Sequence, residues 1–186
     1  MIDKFLFFQE YRKKLDQNLT QEEVNAIDDF IAMVDAEIDY FSIPEWAYVF
    51  ATVFHETAQT FLPVIEAFWK SEEWRKRNFR YYPFYGRGFV QLTWERNYKL
   101  YTKLLKIDLV NNPELAQEPK TAFKILIDGC KFGRFTGVGL GKYLKNGKPD
   151  YKNMRRVING TDKAELIEEY AYEFKRILNI SNIEQK

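Results

Sequence analysis

This sequence predicts a mainly α fold with one small β element, and three observations carry that reading. Apolar residues recur at helical spacing through much of the chain, as in Val24, Ile27, Ile31, Val34 and Ile38. Helix starts are spelled out as capping boxes, Thr20 with Glu23 and Ser42 with Glu45. The helical period breaks down from Arg80 to Leu92, where tyrosines, Pro83 and two glycines suit a small β-hairpin or extended loop. At 186 residues and 46% apolar content, the chain can build one substantial core and is short for two, so residues 1–186 are read as a single domain.

Taken in order, Phe5, Phe8 and Leu15 with the charges between them predict a first helix over about residues 2–15. Thr20 opens the second, and these N-terminal helices, within residues 1–41, are scaffold. Ser42 opens the third, with Pro44 in the first turn where its missing N–H is harmless. That helix takes Trp46, Ala47, Val49, Phe50, Val53 and Phe54 into the core and delivers His55 and Glu56 near its C-terminal end. Pro63 holds Leu62 extended and makes continuation unfavourable, so Glu66 falls beyond a turn. Ser71 caps a short charged helix, and Thr93 caps one that buries Leu100, Leu104 and Leu105. Glu118-Pro119 starts a long helix with Ala122, Phe123, Leu126 and Ile127 inward. The glycine-rich stretch from Phe132 to Asp150 reads as a surface loop. Asp150 caps a helix through Val157, and Asn159-Gly160 ends it in the left-handed conformation. Thr161 caps the last helix, with Leu166, Ile167, Tyr170, Phe174 and Ile177 on one side; the polar tail, 181–186, is expected to fray.

Composition removes several classes of function. A formal charge of +1 provides no global field toward nucleic acid. The short apolar run at the N-terminus is cut by acids and bases, so neither a signal peptide nor a membrane span is expected, and synthesis is expected in the cytoplasm. One cysteine, Cys130, makes no internal disulfide. His55 is the one histidine. In His55-Glu56-Thr57-Ala58-Gln59 a glutamine stands where a zincin needs its second histidine, so a zinc site built on imidazoles cannot form from this segment, and no cofactor is expected.

Carboxylates remain. Glu56 and Glu66, on either side of a helix end, are followed by a Gly-Arg-Gly turn and a run of amide, hydroxyl and aromatic side chains. Glycosidic cleavage asks for one carboxylic acid to protonate the leaving oxygen and one carboxylate on the opposite face of the sugar. The aromatics from Trp69 to Trp94 are dense enough to line a cleft and stack on sugar faces, though some must be core. The cationic run Arg75-Lys76-Arg77 with Arg80 is a solvated face that also favours an anionic wall polymer.

At HET, PVIE and YGRGFVQLTW with Asn97, continuing through GCKFGRFTG and RRVINGTDKA, the chain resembles glycoside hydrolase family 19, especially its compact bacterial and phage members. The resemblance implies a lysozyme-like α+β fold with a small β element beside the active-site cleft. It implies Glu56 as general acid and Glu66 as base, with inversion and no metal. It implies Gln91, Asn97 and Asn159 as sugar-contacting amides and Thr93 as the hydroxyl that helps hold the attacking water; His55, Tyr85, Arg87 and Trp94 complete the expected substrate-binding set, with Arg87 read from its chemistry as a cation that keeps the base ionised. Glu66 precedes Ala67-Phe68-Trp69, where compact members often carry Tyr-Gly, and larger plant-type members place the base further from HET, so Glu72 or Glu73 stays open as the base by spacing. Glu56 also admits a plain structural reading, facing solvent or paired with Arg87 or Lys70. The partner implied is a polysaccharide, peptidoglycan or chitin, met by a monomer; wall lysis after release from the cell is favoured. A non-catalytic carbohydrate-binding relative and a phage structural protein are the alternatives.

Overall fold

In the computed structural model, which describes residues 1–182, the helices follow the order read from the sequence. They are α1 (Lys4–Lys14), α2 (Gln21–Ala36), α3 (Ile43–Glu56), α4 (Glu72–Asn78), α5 (Glu95–Leu105), α6 (Pro119–Phe132), α7 (Tyr151–Met154) and α8 (Ala164–Ser181). Four two-residue strands accompany them: β1 (Val64–Ile65), β2 (Arg87–Gly88), β3 (Leu144–Lys145) and β4 (Lys148–Pro149). The architecture is mainly α with a small β element, as predicted. Among the described residues no helix is long and apolar enough to cross a membrane. The chain sorts into two compact units, one of residues 1–61 with those from 128 onward, the other Leu62–Ile127.

In the first unit, α3 packs on α8, and α1 also packs on α8. Every residue of α3 from Glu45 to Phe54 is buried, which is how a helix with apolar residues all round is accommodated. Phe50 meets Phe7, Phe30, Phe61 and Phe174 at ring distances of 5.5, 5.0, 6.1 and 5.4 Å. Such aromatic contacts add about 0.5–1.5 kcal/mol each beyond the area they bury. Both capping boxes form: the Glu23 carboxylate accepts from Thr20 N at 2.8 Å, and that of Glu45 from Ser42 N at 3.0 Å.

Several local expectations give way. α1 starts at Lys4 with Asp3 as its cap and buries Phe7 and Tyr11, whereas Phe5 is 75% exposed. The face that docks, set by packing on α8, is not the one its most apolar residues suggested. The supposed loop after Phe132 contains the antiparallel β3–β4 hairpin, turned by Asn146 and Gly147 at φ 51° and 73°, the positive values that a tight Asn-Gly turn requires. Lys163, at φ 55°, and not Thr161, is the cap residue of α8. The end of that helix is tied down through Ser181, whose carbonyl accepts from Asp3 N at 2.7 Å, and Asn182 bridges to Ile2. Residues 183–186 of the tail expected to fray lie outside the described residues.

In the second unit β2 pairs with β1, Val64 opposite Gly88 and Ile65 opposite Arg87, so the β element draws one strand from outside the segment 80–92. An Arg87–Leu92 bridge supplies the tight local hairpin. Gly88 sits at φ 86° with an added Cβ only 2.9 Å from the Ala116 carbonyl, a position open to glycine alone. α5 buries Tyr98 and Tyr101 and leaves Leu104 42% exposed. The two phenols are accommodated because their hydroxyls donate to the carbonyls of Tyr85 and Ile125, at 2.8 and 3.2 Å.

Candidate active site

α3 ends at Glu56, seven residues before Pro63, because Thr57 stops it. The Thr57 hydroxyl donates to the Val53 carbonyl at 2.8 Å and accepts from Phe61 N at 3.0 Å. Ala58, Gln59 and Phe61 then take φ values of 51°, 75° and 57°, turning the chain away from the helix axis. Glu56 is thereby the residue at which a fully interior helix reaches the surface, its side chain 20% exposed.

The partner of Glu56 is neither Arg87 nor Lys70. Arg155 Nη1 donates to Glu56 Oε1 at 2.6 Å, and Arg155 Nε donates to the Asp162 carbonyl at 2.8 Å. The guanidinium is 2% exposed and finds its acceptors inside the protein, at Glu56 and the Asp162 carbonyl. Ninety-nine residues separate the two, and no local pattern announces the pair. His55 beside them is half-buried; burial holds its pKa below the ordinary histidine value, with Glu56 opposing in part. Asn159 is exposed in the turn after Arg155–Val157, its N–H bonded to the Arg155 carbonyl. These residues all belong to the first unit.

Glu66 follows β1 in the second unit and is held by both oxygens. Tyr81 Oη donates to Oε1 at 2.7 Å, and Gly86 N donates to Oε2 at 2.9 Å. An added Cβ at position 86 would lie 2.5 Å from Gln91 Oε1, so the Gln91 side chain packs directly against this glycine. Burial first, and the bond to Glu66 second, push the Tyr81 pKa up to about 12, so the phenol stays a donor across any working pH. The rival acids are placed differently. Glu72 is committed to Arg75 at 3.0 Å and to the Tyr85 hydroxyl at 2.9 Å. Glu73 is exposed on the first turn of α4.

The loop around Glu66 also reassigns several residues expected at the sugar. Tyr85 and Arg87 are interior, each 4% exposed. Arg87 lies 3.7 Å over the Tyr85 ring and donates to the carbonyls of Pro83 and Tyr85 and to Tyr98 Oη. Both residues are scaffold, and the guanidinium expected to stand by the base is spent on the loop backbone. Gln91, at φ 53°, ties the loop to β1 through Nε2 and the Val64 carbonyl at 3.0 Å. Thr93 does not cap α5: its hydroxyl donates to the Gln91 carbonyl at 2.7 Å, and Trp94, at φ 75°, takes the cap position. Asn97 donates to the Thr93 carbonyl at 2.7 Å. Trp94 is 39% exposed, with Tyr81 at 4.9 Å on its ring and Arg80 at 5.0 Å over it. Arg75, counted in the cationic face, is 7% exposed and paired with Glu72, which leaves Lys76, Arg77 and Arg80 to that face. Arg75, Tyr81 and Arg155 make contacts that sequence reasoning did not assign, although Arg75 stood in the cationic run, Tyr81 in the aromatic run and Arg155 at the head of RRVINGTDKA.

The fold is a mainly helical scaffold with short β elements, presenting one carboxylate at a helix end in the first unit and another on a short β-loop in the second. The family model for chitinase class I, glycoside hydrolase family 19, matches residues 7–128, and the chain belongs to this family. Chitinase C from Streptomyces griseus HUT6037 has the same fold over 97% of this chain and 77% of its own, at a TM-score of 0.66 and 22% identity. A bacterial family 19 chitinase aligns over 97% and 96% at 0.54 and 20%. Chitinase 11 of Oryza sativa subsp. japonica is 50% identical over 46 residues, 24% of this chain and 18% of the plant protein. Basic endochitinase B of Arabidopsis thaliana is 47% identical over 45 residues, 24% and 13% respectively. The chain spans less than a fifth of either plant relative.

Proposed function

We propose that this protein is a glycoside hydrolase that cleaves β-1,4 linkages in an N-acetylglucosamine-containing polymer with inversion. The observation that carries the reading is the pair of half-buried glutamates, each immobilised by groups remote in sequence, Glu56 by Arg155 and Glu66 by Tyr81 and Gly86. Membership of family 19 supports it.

Glu56 is the general acid. Arg155 occupies Oε1, which leaves Oε2 to carry the proton to the glycosidic oxygen. Glu66 is the base: a carboxylate has about four acceptor sites, so after Tyr81 and Gly86 it still has capacity to take a proton from water. The Thr93 hydroxyl spends its proton on the Gln91 carbonyl and offers its lone pairs to that same water. Water attacks the anomeric carbon as the bond to the leaving oxygen breaks, so a β-linkage yields an α-anomer first. The names of the plant and Streptomyces relatives make chitin the first substrate to try. Peptidoglycan, built on the same sugar, is the second; on it the enzyme works after release from the cell that makes it.

Zymography on a soluble chitin derivative and on cell walls, with wild type, Glu56→Gln and Glu66→Gln, tests this. Each variant is expected to lose on the order of 10² to 10⁴ in rate, the range for an acid or base that has been removed. A folded Glu56→Gln protein within tenfold of wild type takes Glu56 out of the role. Early product read by proton NMR should be the α-anomer; a β-anomer would mean retention. Glycan binding without clearance of either polymer would instead mark a carbohydrate-binding relative.

A further inference from the structure

Directly after Glu66 the chain makes a tight turn, closed by Lys70 N donating to the Ala67 carbonyl at 2.9 Å. Its two corner residues are Phe68 and Trp69, 68% and 70% exposed. Turn corners ordinarily carry Gly, Asn, Asp, Pro or Ser, each for a backbone reason that neither aromatic supplies. Where local sequence and local structure conflict in this way, a functional demand is the usual cause.

The turn is also braced. Arg75, buried beneath it, donates from Nε to the Glu66 carbonyl at 3.1 Å and from Nη2 to the Ala67 carbonyl at 3.2 Å. Glu72 holds the same guanidinium at 3.0 Å. The two aromatics are thus presented from an anchored backbone, their rings edge to face at 5.2 Å and 85°. The brace seizes the backbone of Glu66 itself, so the aromatic pair and the carboxylate are fixed to one support. Three residues of chain put the Trp69 Cα within about 11 Å of that of Glu66.

We infer that Phe68 and Trp69 form a stacking platform for the glycan strand beside Glu66, gripping a sugar other than those at the cleaved bond. A pyranose offers a flat patch of C–H groups rimmed by hydroxyls, which suits an exposed aromatic face with wet edges. The inference rests on the glycan-hydrolase reading and adds to it a determinant of polymer length. Lys70, which lies 5.4 Å over the Trp74 ring, and the acids and bases of α4 surround the pair with charges of both signs, a poor match to a lipid surface.

The test uses the full chain, an N-acetylglucosamine hexamer, a soluble chitin derivative and phosphatidylcholine–phosphatidylglycerol vesicles. Trp69→Ala is expected to raise both KM and the hexamer Kd about three- to tenfold, with kcat within twofold. Phe68→Ala should act in the same direction, and Trp69→Phe should recover part of the loss. Phe5→Ser, a change at an equally exposed aromatic elsewhere, should leave KM and Kd alone. Wild-type KM and Kd in Trp69→Ala and Phe68→Ala overturn the platform and leave the hydrolase reading standing. Wild type that binds hexamer through Trp69 yet cleaves neither chitin nor wall keeps the platform and removes the hydrolase. Neither binding nor cleavage removes both, and Trp69-dependent binding to vesicles with unchanged hexamer Kd assigns the patch to lipid and overturns the proposal.

Discussion

Arg155 has no way to reach water, so the group opposite it must be able to receive a hydrogen bond. Glu56→Leu removes that acceptor and strands a buried cation, which typically costs about 3–5 kcal/mol, readable as a drop in the urea midpoint. Glu56→Gln keeps an oxygen facing Arg155 and should cost clearly less, which makes it the cleaner variant for catalysis. Tyr81→Phe deletes a bond to a charged acceptor, worth about 1.5–3 kcal/mol, and should cut kcat/KM roughly tenfold to hundredfold. A loss below twofold would show that Gly86 alone suffices to hold Glu66. His55 titrates below the ordinary histidine range of about 6.5. The unfolded chain therefore binds the proton more readily than the folded one. Stability from this group is present above about pH 6.5 and is lost as pH falls through the folded value. Because the chain has one histidine, a single imidazole resonance reports this directly; a midpoint at or above 6.5 would contradict it.

Among elements, the end of α3 matters most, and it is set by one hydroxyl. Thr57→Val leaves the Phe61 N–H without its acceptor in a buried place, at a cost of about 1–3 kcal/mol, and lets the residues that aim Glu56 drift. Lower stability and lower kcat together are expected; unchanged kcat would mean that Arg155 alone aims the carboxylate. The sequence placed Glu56 near the end of this helix, as observed, but named Pro63 as the breaker, because a threonine that stops a helix looks like any other. What sequence did reveal was local: the capping boxes of α2 and α3 each lie within four residues, and the core positions of α3 follow the helical period. What it hid was tertiary. The docking faces of α1 and α5 are chosen by their neighbours, and β1 finds its partner across the span from Val64 to Gly88. For the candidate site, both glutamates and Arg155 lie in the family-like motifs, but nothing in the sequence pairs Glu56 with a guanidinium 99 residues away. Tyr85 and Arg87 were read as sugar-facing for their chemistry, when that same chemistry was needed to fold the loop.

For the molecule as a whole, family membership and a mainly helical frame leave the chemistry to a few side chains held by many apolar ones. α3 concentrates that division in one segment, buried without a break from Glu45 to Phe54 and surfacing at His55 and Glu56. Libraries that randomise residues 45–60 one codon at a time and select for soluble, unaggregated protein should return a sharp boundary. Upstream of it charged replacements vanish; past residue 57 they are tolerated freely. At position 56 the same library should split by selection regime, keeping glutamine when only solubility is demanded and refusing it when clearance of polymer is demanded as well.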